Sequence, residues 1–536
     1  MTRVLLFGTH FGSSNGYSLV CTHLAKYLAL KKDIELTWWG FQNFQKIPNH
    51  DKEREIPSNV QVYDAFANEK VRAMGFGFEE VTEFVTMNKP DVCIIYNDMV
   101  VVSNIIDKLK KVENRKFKII VYVDQVYLCQ KKEFIKRLND DADFVICFSK
   151  YWEDCIKEQG MTRPTGILEH GFNPLMTFPV PKKLARMFFN LKQEDFIIIN
   201  ANRNQPRKRL DIMMMAFAEV VSRHITDPIK LLIATSPQGA WNLIEIYERE
   251  LRLHGLTLEE GMKHLIFIDN PQGLSDEDMN TLYNAADIGI NTAMGEGWGL
   301  CNFQAAAIGT PQIVPYVGGF RDFFDSDNAI VIHPKVKVYT DMTIDGCPGC
   351  AEICDASDFA EAIEAYYADD TLRQKHIINA RKRIIQNYKW SDLVNKLYRY
   401  IKIVIGEDPD KPEQVNDVIS KDTITMDEIN KLMGKLDNEE NLINIEDKSE
   451  EVDIDKLSIN STDVQSPLSL QETINQQIDD KKVKVPPQIQ QQQKKEEVRN
   501  RLKEKLEAKR KLKGTTDISK ELQKIKSQIA ELTIKS

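Results

Sequence analysis

The sequence predicts an α/β fold with two parallel-sheet domains and a charged tail. In the first domain, short and almost continuously apolar runs alternate with segments of helical spacing, which is typical of a parallel sheet covered by helices on both faces. A second series of such runs begins at Phe196–Asn200. Because 536 residues leave room for two or three domains, we predict domains over 1–185 and 190–385.

Each predicted strand is a short apolar run bounded by polar residues or glycine. Strands are expected at 4–7, 34–38, 92–96, 119–123, 144–148, 196–200, 230–234, 265–268 and 286–291. Helical spacing is found at 19–30, 78–88, 103–112, 212–224, 272–285 and 303–308. Residues 179–186 are expected to connect the two domains.

Composition excludes several classes of protein. A net charge of -9 and a pI near 5.7 argue against a general nucleic-acid binder. The apolar run at the N-terminus is too short for a signal peptide, and no run approaches the length that spans a bilayer. We therefore expect a cytoplasmic protein that binds no nucleic acid.

Most of the nine cysteines lie singly in apolar, strand-like segments, which indicates buried free thiols rather than a disulfide framework. Cys347, Cys350 and Cys354 are the exception, because a C-x-x-C pair followed by a third cysteine can bind zinc. No fourth ligand is close in sequence. We favour a loop with incidental thiols and predict no metal site.

Gly12 and Gly16 lie in a loop between the first predicted strand and the first predicted helix. Glycine allows the backbone to approach a ligand closely. The loop lacks the G-x-G-x-x-G pattern of dinucleotide-binding domains. Taken alone, it is equally compatible with a ligand-binding loop and with an ordinary turn.

Polar residues follow several predicted strands, at the edge of the sheet where ligands of parallel α/β domains bind. Asn97 and Asp98 follow one strand, and Asp124 and Gln125 follow the next. Ser149 follows a third strand, and because serine often caps helices, we expect it to be a cap rather than a nucleophile. For Asp124 both a capping and a ligand-binding role stay open.

A basic turn follows the strand at 196–200, with four cations in the seven positions 203–209. Such a cluster suits a diphosphate leaving group, because cations stabilise its developing negative charge. The alternative is a solvated basic turn, as most charge runs are.

A second glycine-rich turn, with Gly295, Gly297 and Gly299, lies between the strand at 286–291 and the helix at 303–308. A turn that leads into a helix presents unpaired N–H groups and the positive end of the helix dipole, which together suit a phosphate. A turn that only needs tight packing is the alternative. Glu296 and Trp298 favour the ligand, since we expect neither to serve a core at this position.

Residues 196–324 resemble the nucleotide-sugar-binding domain of retaining glycosyltransferases with the GT-B fold, the glycosyl transferases group 1 or family 4 superfamily. The resemblance is carried by Arg203, Lys208, Ala286-Asp287, Glu296-Gly297-Trp298-Gly299-Leu300, Gly309-Thr310-Pro311 and Gly318-Gly319. It implies two Rossmann-like domains that face each other across a cleft. It extends to Trp390, where such proteins begin a helix that returns to the first domain, here predicted at 386–405.

The resemblance implies a role for each matching residue. Arg203 and Lys208 correspond to the pair that holds the donor diphosphate and acts in catalysis. Glu296 corresponds to the first acid of a paired-glutamate motif, a catalytic residue expected to hydrogen-bond hydroxyl groups of the donor sugar. The backbone N–H groups of Leu300 and Cys301 would contact phosphate.

The four glycines Gly12, Gly16, Gly297 and Gly299 would let the backbone approach the donor. Two positions depart from the family pattern. Gln304 replaces the second acid of a paired-glutamate motif, and its amide can still bond a ribose diol, though without a charge. Asp124, the fourth expected catalytic residue, stands near the place of a histidine in many relatives. It can accept a bond from a sugar hydroxyl but cannot donate one unless protonated.

The implied reaction is transfer of a hexose from a UDP- or GDP-sugar to an unidentified carbohydrate, lipid or protein acceptor, with retention of anomeric configuration. The resemblance implies no obligatory metal and no cofactor, since the cations and a helix dipole stabilise the diphosphate. Because Gln304 breaks the motif, one alternative stays open. It is a weak or inactive nucleotide-sugar-binding relative that acts as a scaffold through its tail.

Residues 406–536 are rich in Asp, Glu, Lys, Asn, Gln and Ser, a composition typical of disorder. Helices are predicted near 426–436, where Thr425 and Glu428 form a capping-box pattern, and near 494–535, where apolar residues keep helical spacing. A solvated, partly helical tail is the favoured interpretation. Self-association and peripheral membrane contact through the basic C-terminal helices stay open.

Overall fold

The computed structural model describes residues 1–44, 52–71, 74–268, 273–341 and 348–409. Within these ranges, two parallel sheets of seven and six strands each belong to a separate Rossmann-like domain, and two further strands form an antiparallel hairpin. The predicted α/β class with two parallel-sheet domains is confirmed. The predicted tail helices near 426–436 and 494–535 lie outside the described residues.

The N-terminal sheet is parallel throughout, in the order β3-β2-β1-β4-β5-β6-β7. Its strands are β1 Thr2–Thr9, β2 Ile34–Phe41, β3 Gln61–Asp64, β4 Val92–Asp98, β5 Lys118–Asp124, β6 Phe144–Cys147 and β7 Thr165–Ile167. The central strands are buried along almost their whole length, because helices cover both faces of the sheet. In the β4–β5 register Asp98 is opposite Asp124, so the two carboxylates end neighbouring strands.

Polar side chains cap four of the six described helices of this domain, α1, α2, α4 and α6. The helices are α1 Gly16–Leu28, α2 Ala65–Asn68, α3 Val81–Asn88, α4 Met99–Leu109, α5 Lys132–Asp141 and α6 Lys150–Glu158, with 3-10 turns at Lys52–Arg54 and Phe78–Glu80. Asn15 caps α1, and Asp98 caps α4 by accepting from two backbone N–H groups. Ser149 caps α6, which confirms the prediction that it is a cap.

The C-terminal sheet is also parallel, in the order β10-β9-β8-β11-β12-β13. Its strands are β8 Phe196–Asn200, β9 Ile229–Ile233, β10 Leu265–Phe267, β11 Ile288–Ile290, β12 Gln312–Pro315 and β13 Ile330–Ile332. The surrounding helices are α7 Lys182–Phe188, α8 Leu210–Arg223, α9 Leu243–Leu253, α10 Leu258–Met262, α11 Asp276–Ala285, α12 Leu300–Ile308, α13 Phe320–Phe323, α14 Ala356–Ala368 and α15 Asp370–Asn387. A 3-10 turn at Pro206–Lys208 leads into α8.

An antiparallel hairpin, β14 Val336–Thr340 and β15 Gly349–Ile353, follows the C-terminal sheet. It reaches the loop after β5, where the N–H of Leu128 lies 3.2 Å from the carbonyl oxygen of Cys350 and the reverse bond measures 2.8 Å. Cys350 therefore lies in a strand, whereas a loop had been predicted. Cys347 lies outside the described residues.

The last described helix, α16 Trp390–Ile405, packs against α1 of the N-terminal domain. The Trp390 indole stacks on His23 with 4.9 Å between ring centroids. The amphipathic pattern of the helix explains this position, since Leu393, Leu397 and Ile401 recur every four residues and are all buried.

All nine strands predicted from apolar runs are present, and their ends shift by no more than a few residues. Residues 179–186, predicted to connect the domains, contain the start of α7, whose Arg186 Nη2 lies 2.6 Å from Asp287 Oδ2. In the part of the chain that is described, no helix has both the length and the apolar content needed to cross a bilayer.

Candidate functional site

The second glycine-rich turn lies at the carboxyl end of β11 and leads directly into α12. Gly299 is the N-cap of α12, with a φ of 92°, and a Cβ there would lie 2.1 Å from Phe320 Cε1. Only glycine fits this backbone conformation and this contact. Because no side chain caps α12, the N–H groups of Leu300 and Cys301 begin the helix unpaired by a cap.

Glu296 lies in this turn and is almost completely buried, with 3% of its surface exposed. Its Oε1 accepts from Lys208 Nζ, its Oε2 lies 3.1 Å from Arg207 Nη1, and Asn291 Nδ2 lies 3.2 Å from Oε1. Burial raises the pKa of Glu296, but Lys208 and Arg207 outweigh burial and hold that pKa down to about 2. The carboxylate therefore fixes two cations at the start of the site.

Lys208 is buried, and the pKa of its ammonium group is lowered by burial and then by the positive charge of Arg207. The two cations predicted to bind the diphosphate, Arg203 and Lys208, thus differ in their exposure to solvent. Arg203 is exposed, and within the described residues its side chain makes no hydrogen bond or ion pair. Although Arg203 is exposed to solvent, protein atoms around it partly desolvate its guanidinium, and this desolvation, followed by the charge of Arg207, lowers the pKa of Arg203 as well. Arg203 is the cation that a ligand can reach directly.

Asp124 faces this cluster from the N-terminal domain. Its Oδ2 accepts a hydrogen bond from the Tyr17 hydroxyl, and its Oδ1 is buried without a hydrogen-bond partner among the described residues. A Cβ on Gly297 would lie only 2.2 Å from Oδ1. Burial raises the pKa of Asp124 to about 6, with smaller contributions from the charges of Asp98 and Glu296, while Tyr17 and Arg207 act in the opposite direction.

The two predicted glycines of the first loop have different surroundings. A Cβ on Gly16 would lie 2.9 Å from Leu300 Cδ1, so the start of α1 meets the start of α12. Gly12 packs within its own domain, where its N–H lies 3.0 Å from His10 Nδ1 and a Cβ would lie 2.5 Å from Asn43 Oδ1. Only Gly16 is placed beside the helix that begins the candidate phosphate site.

Gln304 lies on α12, one turn after Leu300, and is half-buried. Cys301 is also half-buried, and its Sγ lies 3.7 Å from the carbonyl oxygen of Ala201. The charges of Arg203 and Lys208 both interact with Glu296 and with Cys301 in the first turn of α12, and Asp124 interacts with Glu296 from the other domain. These residues and the start of α12 therefore lie together where the two domains face each other, in what we call the cleft.

We call the two sides of this cleft the C-terminal wall and the N-terminal wall. The C-terminal wall consists of Arg203, Arg207, Lys208, Glu296 and the start of α12. The N-terminal wall consists of Gly16, Tyr17 and Asp124. Two polar contacts join the domains beside them. Arg54 Nε lies 2.5 Å from Asp276 Oδ2 and Arg54 Nη2 lies 3.0 Å from Asp276 Oδ1. Trp152 Nε1 donates to the carbonyl oxygen of Gly297 at 2.9 Å.

Trp298 corrects one argument from the sequence. The sequence predicts that Trp298 serves no core, yet only 2% of its surface is exposed, and it packs among His170, Phe303, Phe323 and Tyr388. The tryptophan fixes the glycine turn to the aromatic core where the domains meet. Trp298 is therefore no evidence for a ligand site in this turn. The ion pairs of Glu296 with Lys208 and Arg207 are the observation that supports one.

Three residues of the site were not singled out from the sequence. Arg207 is one of the four cations at 203–209 and receives no role from the resemblance, but it contacts Glu296 directly. Asn291 was seen only as the end of a strand, and Tyr17 only as part of a loop. The carboxylate partner lies 107 residues away for Tyr17, 89 residues away for Arg207, and across a turn for Asn291. No local pattern therefore marks these residues, apart from the density of cations around Arg207.

Among the described residues, no three His, Cys, Asp or Glu side chains are grouped so that they could hold a metal ion. Cys354 donates its thiol to the carbonyl oxygen of Ile332 at 3.3 Å.

Comparison with known proteins agrees with this architecture. Residues 182–383 match the family described as Glycosyl transferases group 1. The chain is 21% identical over 222 residues to an uncharacterized glycosyltransferase of Methanocaldococcus jannaschii, covering 41% of this chain and 48% of that protein. It is 29% identical over 143 residues to D-inositol 3-phosphate glycosyltransferase 2 of Catenulispora acidiphila, covering 26% of this chain and 32% of that protein. The chain thus spans less than half the length of these curated relatives.

Solved structures cover more of the chain. Sucrose-phosphate synthase from Thermosynechococcus elongatus superimposes with a TM-score of 0.58 at 15% identity, covering 76% of this chain and 100% of that one. Anabaena HepE in complex with UDP-glucose superimposes with a TM-score of 0.56 at 13% identity, covering 75% of this chain and 100% of that one. These likenesses show the GT-B fold. Together with the family match, they support the glycosyl transferases group 1 superfamily.

Proposed function

We propose that the protein is a hexosyltransferase that uses a nucleoside-diphosphate sugar, a UDP- or GDP-sugar, as donor and transfers the sugar with retention of anomeric configuration. The observation that carries this proposal is the convergence of Arg203, Lys208 and the start of α12 at one point of the cleft. Cations and a helix N-terminus together suit a diphosphate better than any neutral ligand. HepE, a structural neighbour, is known in complex with UDP-glucose.

In this proposal the C-terminal wall binds the diphosphate. Arg203 and the N–H groups of Leu300 and Cys301 contact the phosphates, and the buried Lys208 adds positive charge to the same wall. As the glycosidic bond to the sugar breaks, negative charge develops on the diphosphate, and these groups stabilise it. Gln304 bonds the ribose diol through its amide.

In this proposal Glu296 contacts the donor sugar, and Lys208 and Arg207 hold the Glu296 carboxylate in place. Both of its oxygens already accept from cations, so it is a poor candidate for a nucleophile that attacks the sugar. This supports a reaction in which the leaving phosphate, rather than a carboxylate of the protein, assists deprotonation of the acceptor. The cations of the wall supply the charge that a metal would otherwise provide, and we propose that none is required.

The acceptor is an unidentified carbohydrate, lipid or protein that enters from the N-terminal wall. Contacts between Arg54 and Asp276 close the domains around the cleft, which excludes water and limits hydrolysis of the donor. The alternative of an inert scaffold is not favoured, because Arg203, Lys208 and Glu296 are all present in the cleft, and only the second acid of the motif is replaced, by Gln304.

The experiment is a panel of UDP- and GDP-sugars incubated with purified full-length protein, with released nucleoside diphosphate measured with and without candidate acceptors and in the presence of EDTA. We expect release from at least one donor and no loss of rate with EDTA. Absence of release across the panel, together with no donor binding by calorimetry, would overturn the proposal.

A further inference from the structure

Tyr17 lies in the first turn of α1 and contacts the carboxylate of Asp124, which ends β5. Its hydroxyl donates to Asp124 Oδ2, and its ring packs against Tyr96 with 5.2 Å between ring centroids. Asn15 caps α1 just before it and fixes the backbone from which the tyrosine extends. The position of the phenol is therefore set by both the helix and the sheet.

The contact leaves the two oxygens of Asp124 in different states. Oδ2 has the phenol as its donor, whereas Oδ1 is buried and has no donor among the described residues. Oδ1 faces the backbone of Gly297, where a Cβ would lie 2.2 Å away. A buried carboxylate oxygen without a donor costs free energy, which a hydroxyl group of a bound ligand would recover.

We propose that Tyr17 is a positioning residue, which holds Oδ2 so that Oδ1 accepts a hydrogen bond from a hydroxyl group of the donor sugar. This inference rests on the proposed transfer reaction and adds to it a residue from the N-terminal domain. The ordinary alternative for a buried tyrosine is packing alone. Packing needs the ring but not the hydroxyl, so removal of the single oxygen separates the two.

The charged groups around Asp124 determine the expected response to pH. Asp98 on β4 and Glu296 in the glycine turn disfavour its ionised form, while Arg207 and the Tyr17 hydroxyl favour it, and burial raises its pKa to about 6 overall. The pKa of Tyr17 itself is raised well above its usual value, first by burial and then by Asp124, so the phenol remains a donor. Only ionised Asp124 accepts through both oxygens. Activity should therefore fall as the pH drops through this pKa.

The test uses Tyr17→Phe in the full-length protein. Removal of the hydroxyl removes an interaction that lowers the pKa of Asp124, so the acid limb of the kcat/KM profile should move to higher pH, and kcat/KM at pH 6.5 should fall roughly tenfold. The affinity for UDP, which lacks the sugar, should change less than about twofold. Tyr247→Phe is the matched control, since that buried tyrosine of the C-terminal domain loses one bond of 3.2 Å to the carbonyl oxygen of Gly261.

A second readout does not depend on turnover. The carboxyl carbon of Asp124, labelled with carbon-13 and assigned by its loss in Asp124→Asn, is titrated by NMR in the wild type and in Tyr17→Phe. An upward shift of the Asp124 pKa in Tyr17→Phe supports the inference, and an unchanged titration with an unchanged kcat/KM profile would overturn it. A shifted titration in a protein that turns over no donor supports the contact between Tyr17 and Asp124 and contradicts the transfer reaction.

Discussion

The two walls of the cleft differ in how much of their chemistry is complete before a ligand binds. On the C-terminal wall, Glu296 already holds Lys208 and Arg207. On the N-terminal wall, one oxygen of Asp124 is held by Tyr17 and the other has no donor among the described residues. The charges of the C-terminal wall are therefore already paired and fixed in position, whereas the N-terminal wall has one hydrogen-bond acceptor, Asp124 Oδ1, whose donor is missing among the described residues.

This difference indicates a division of labour in the proposed reaction. Fixed cations stabilise developing charge without having to reorganise, which is what a leaving diphosphate requires. An acceptor that lacks a donor favours ligands that bring a hydroxyl group to the right place, which is a requirement of sugar recognition. The C-terminal wall would then determine the rate, and the N-terminal wall would determine which sugar is used.

Lys208→Ala tests the difference between the two walls most directly, because it removes one of the fixed cations of the C-terminal wall. We expect turnover of the donor to fall about a thousandfold, since a charge that stabilises the leaving group is lost. Stability should also fall, because Glu296 stays buried with one cation fewer. Release assays and urea unfolding measure the two effects.

Lys182→Ala is the control for this variant, because Lys182 Nζ lies 2.7 Å from Asp287 Oδ1 in a half-exposed pair outside the cleft. It should leave turnover within about twofold of the wild type, as surface ion pairs contribute little. A Lys208→Ala enzyme with normal turnover would show that the charge of the C-terminal wall is not used.

Glu296→Gln tests the fixed charge from the other side, and we expect a loss of turnover of about a hundredfold, since two cations lose their common partner. In the wild type the pKa of Glu296 is lowered to about 2. Ionised Glu296 therefore stabilises the fold fully above its usual pKa near 4.5, and this contribution declines as the pH falls toward 2. The wild type should therefore be more stable than the variant at pH 7 by on the order of 3 kcal/mol.

This stability difference should narrow by about 1 kcal/mol by pH 3.5, because Glu296 begins to bind a proton in the unfolded state. Urea unfolding at both pH values measures it. A difference that does not depend on pH would mean that the ion pairs of Glu296 do not contribute to folding.

Arg54→Ala weakens the contact that brings the walls together. We expect KM for the donor to rise roughly tenfold with a smaller change in kcat, since closure of the domains becomes less favourable while the cations stay in place. Arg3→Ala is matched to it, because Arg3 Nη2 lies 3.2 Å from Asp91 Oδ1 within the N-terminal domain. Equal effects of the two variants on KM would contradict a role of the Arg54–Asp276 pair in closure.

Gln304→Glu should have the smallest effect, because it restores a charge at one edge of the site without changing the walls. Donor affinity, measured by calorimetry, should stay the same or rise by up to about threefold, since a carboxylate bonds a diol more strongly than an amide does. A large loss of affinity would show that the glutamine is adapted to this donor.

The sequence predicted the architecture well because buried parallel strands are continuous apolar runs, as in 92–96 and 119–123. It missed β3, whose four residues are only partly buried, and the hairpin β14–β15, whose first strand is largely exposed. A strand that is not buried on both faces carries no such run. Three further strands of three or four residues, β7, β12 and β13, were missed as well. Length alone does not explain this, since β10 and β11 also have three residues and were predicted.

For the site, family motifs identified residues that act through local geometry, such as Gly299 at the start of α12. They could not identify contacts between residues that are distant in sequence. The roles of five residues stay predictions: Arg203, Lys208, Glu296, Asp124 and Gln304. Tyr17 and Asp124 are 107 residues apart in sequence. Trp298 shows the opposite error, since a large residue in a glycine-rich turn suggested a ligand but in fact packs where the domains meet.

The helix α16 has a consequence for the order in which the protein folds during synthesis. Its Trp390 stacks on His23, its Tyr400 hydroxyl accepts from the N–H of Ile167 at 3.1 Å, and its Lys402 pairs with Asp33. The face of α1 that α16 covers therefore stays uncovered until residues 390–405 have been synthesised, by which time the whole C-terminal domain has been made. The domain that is translated first would be the last to be completed, contrary to the usual order in multidomain chains.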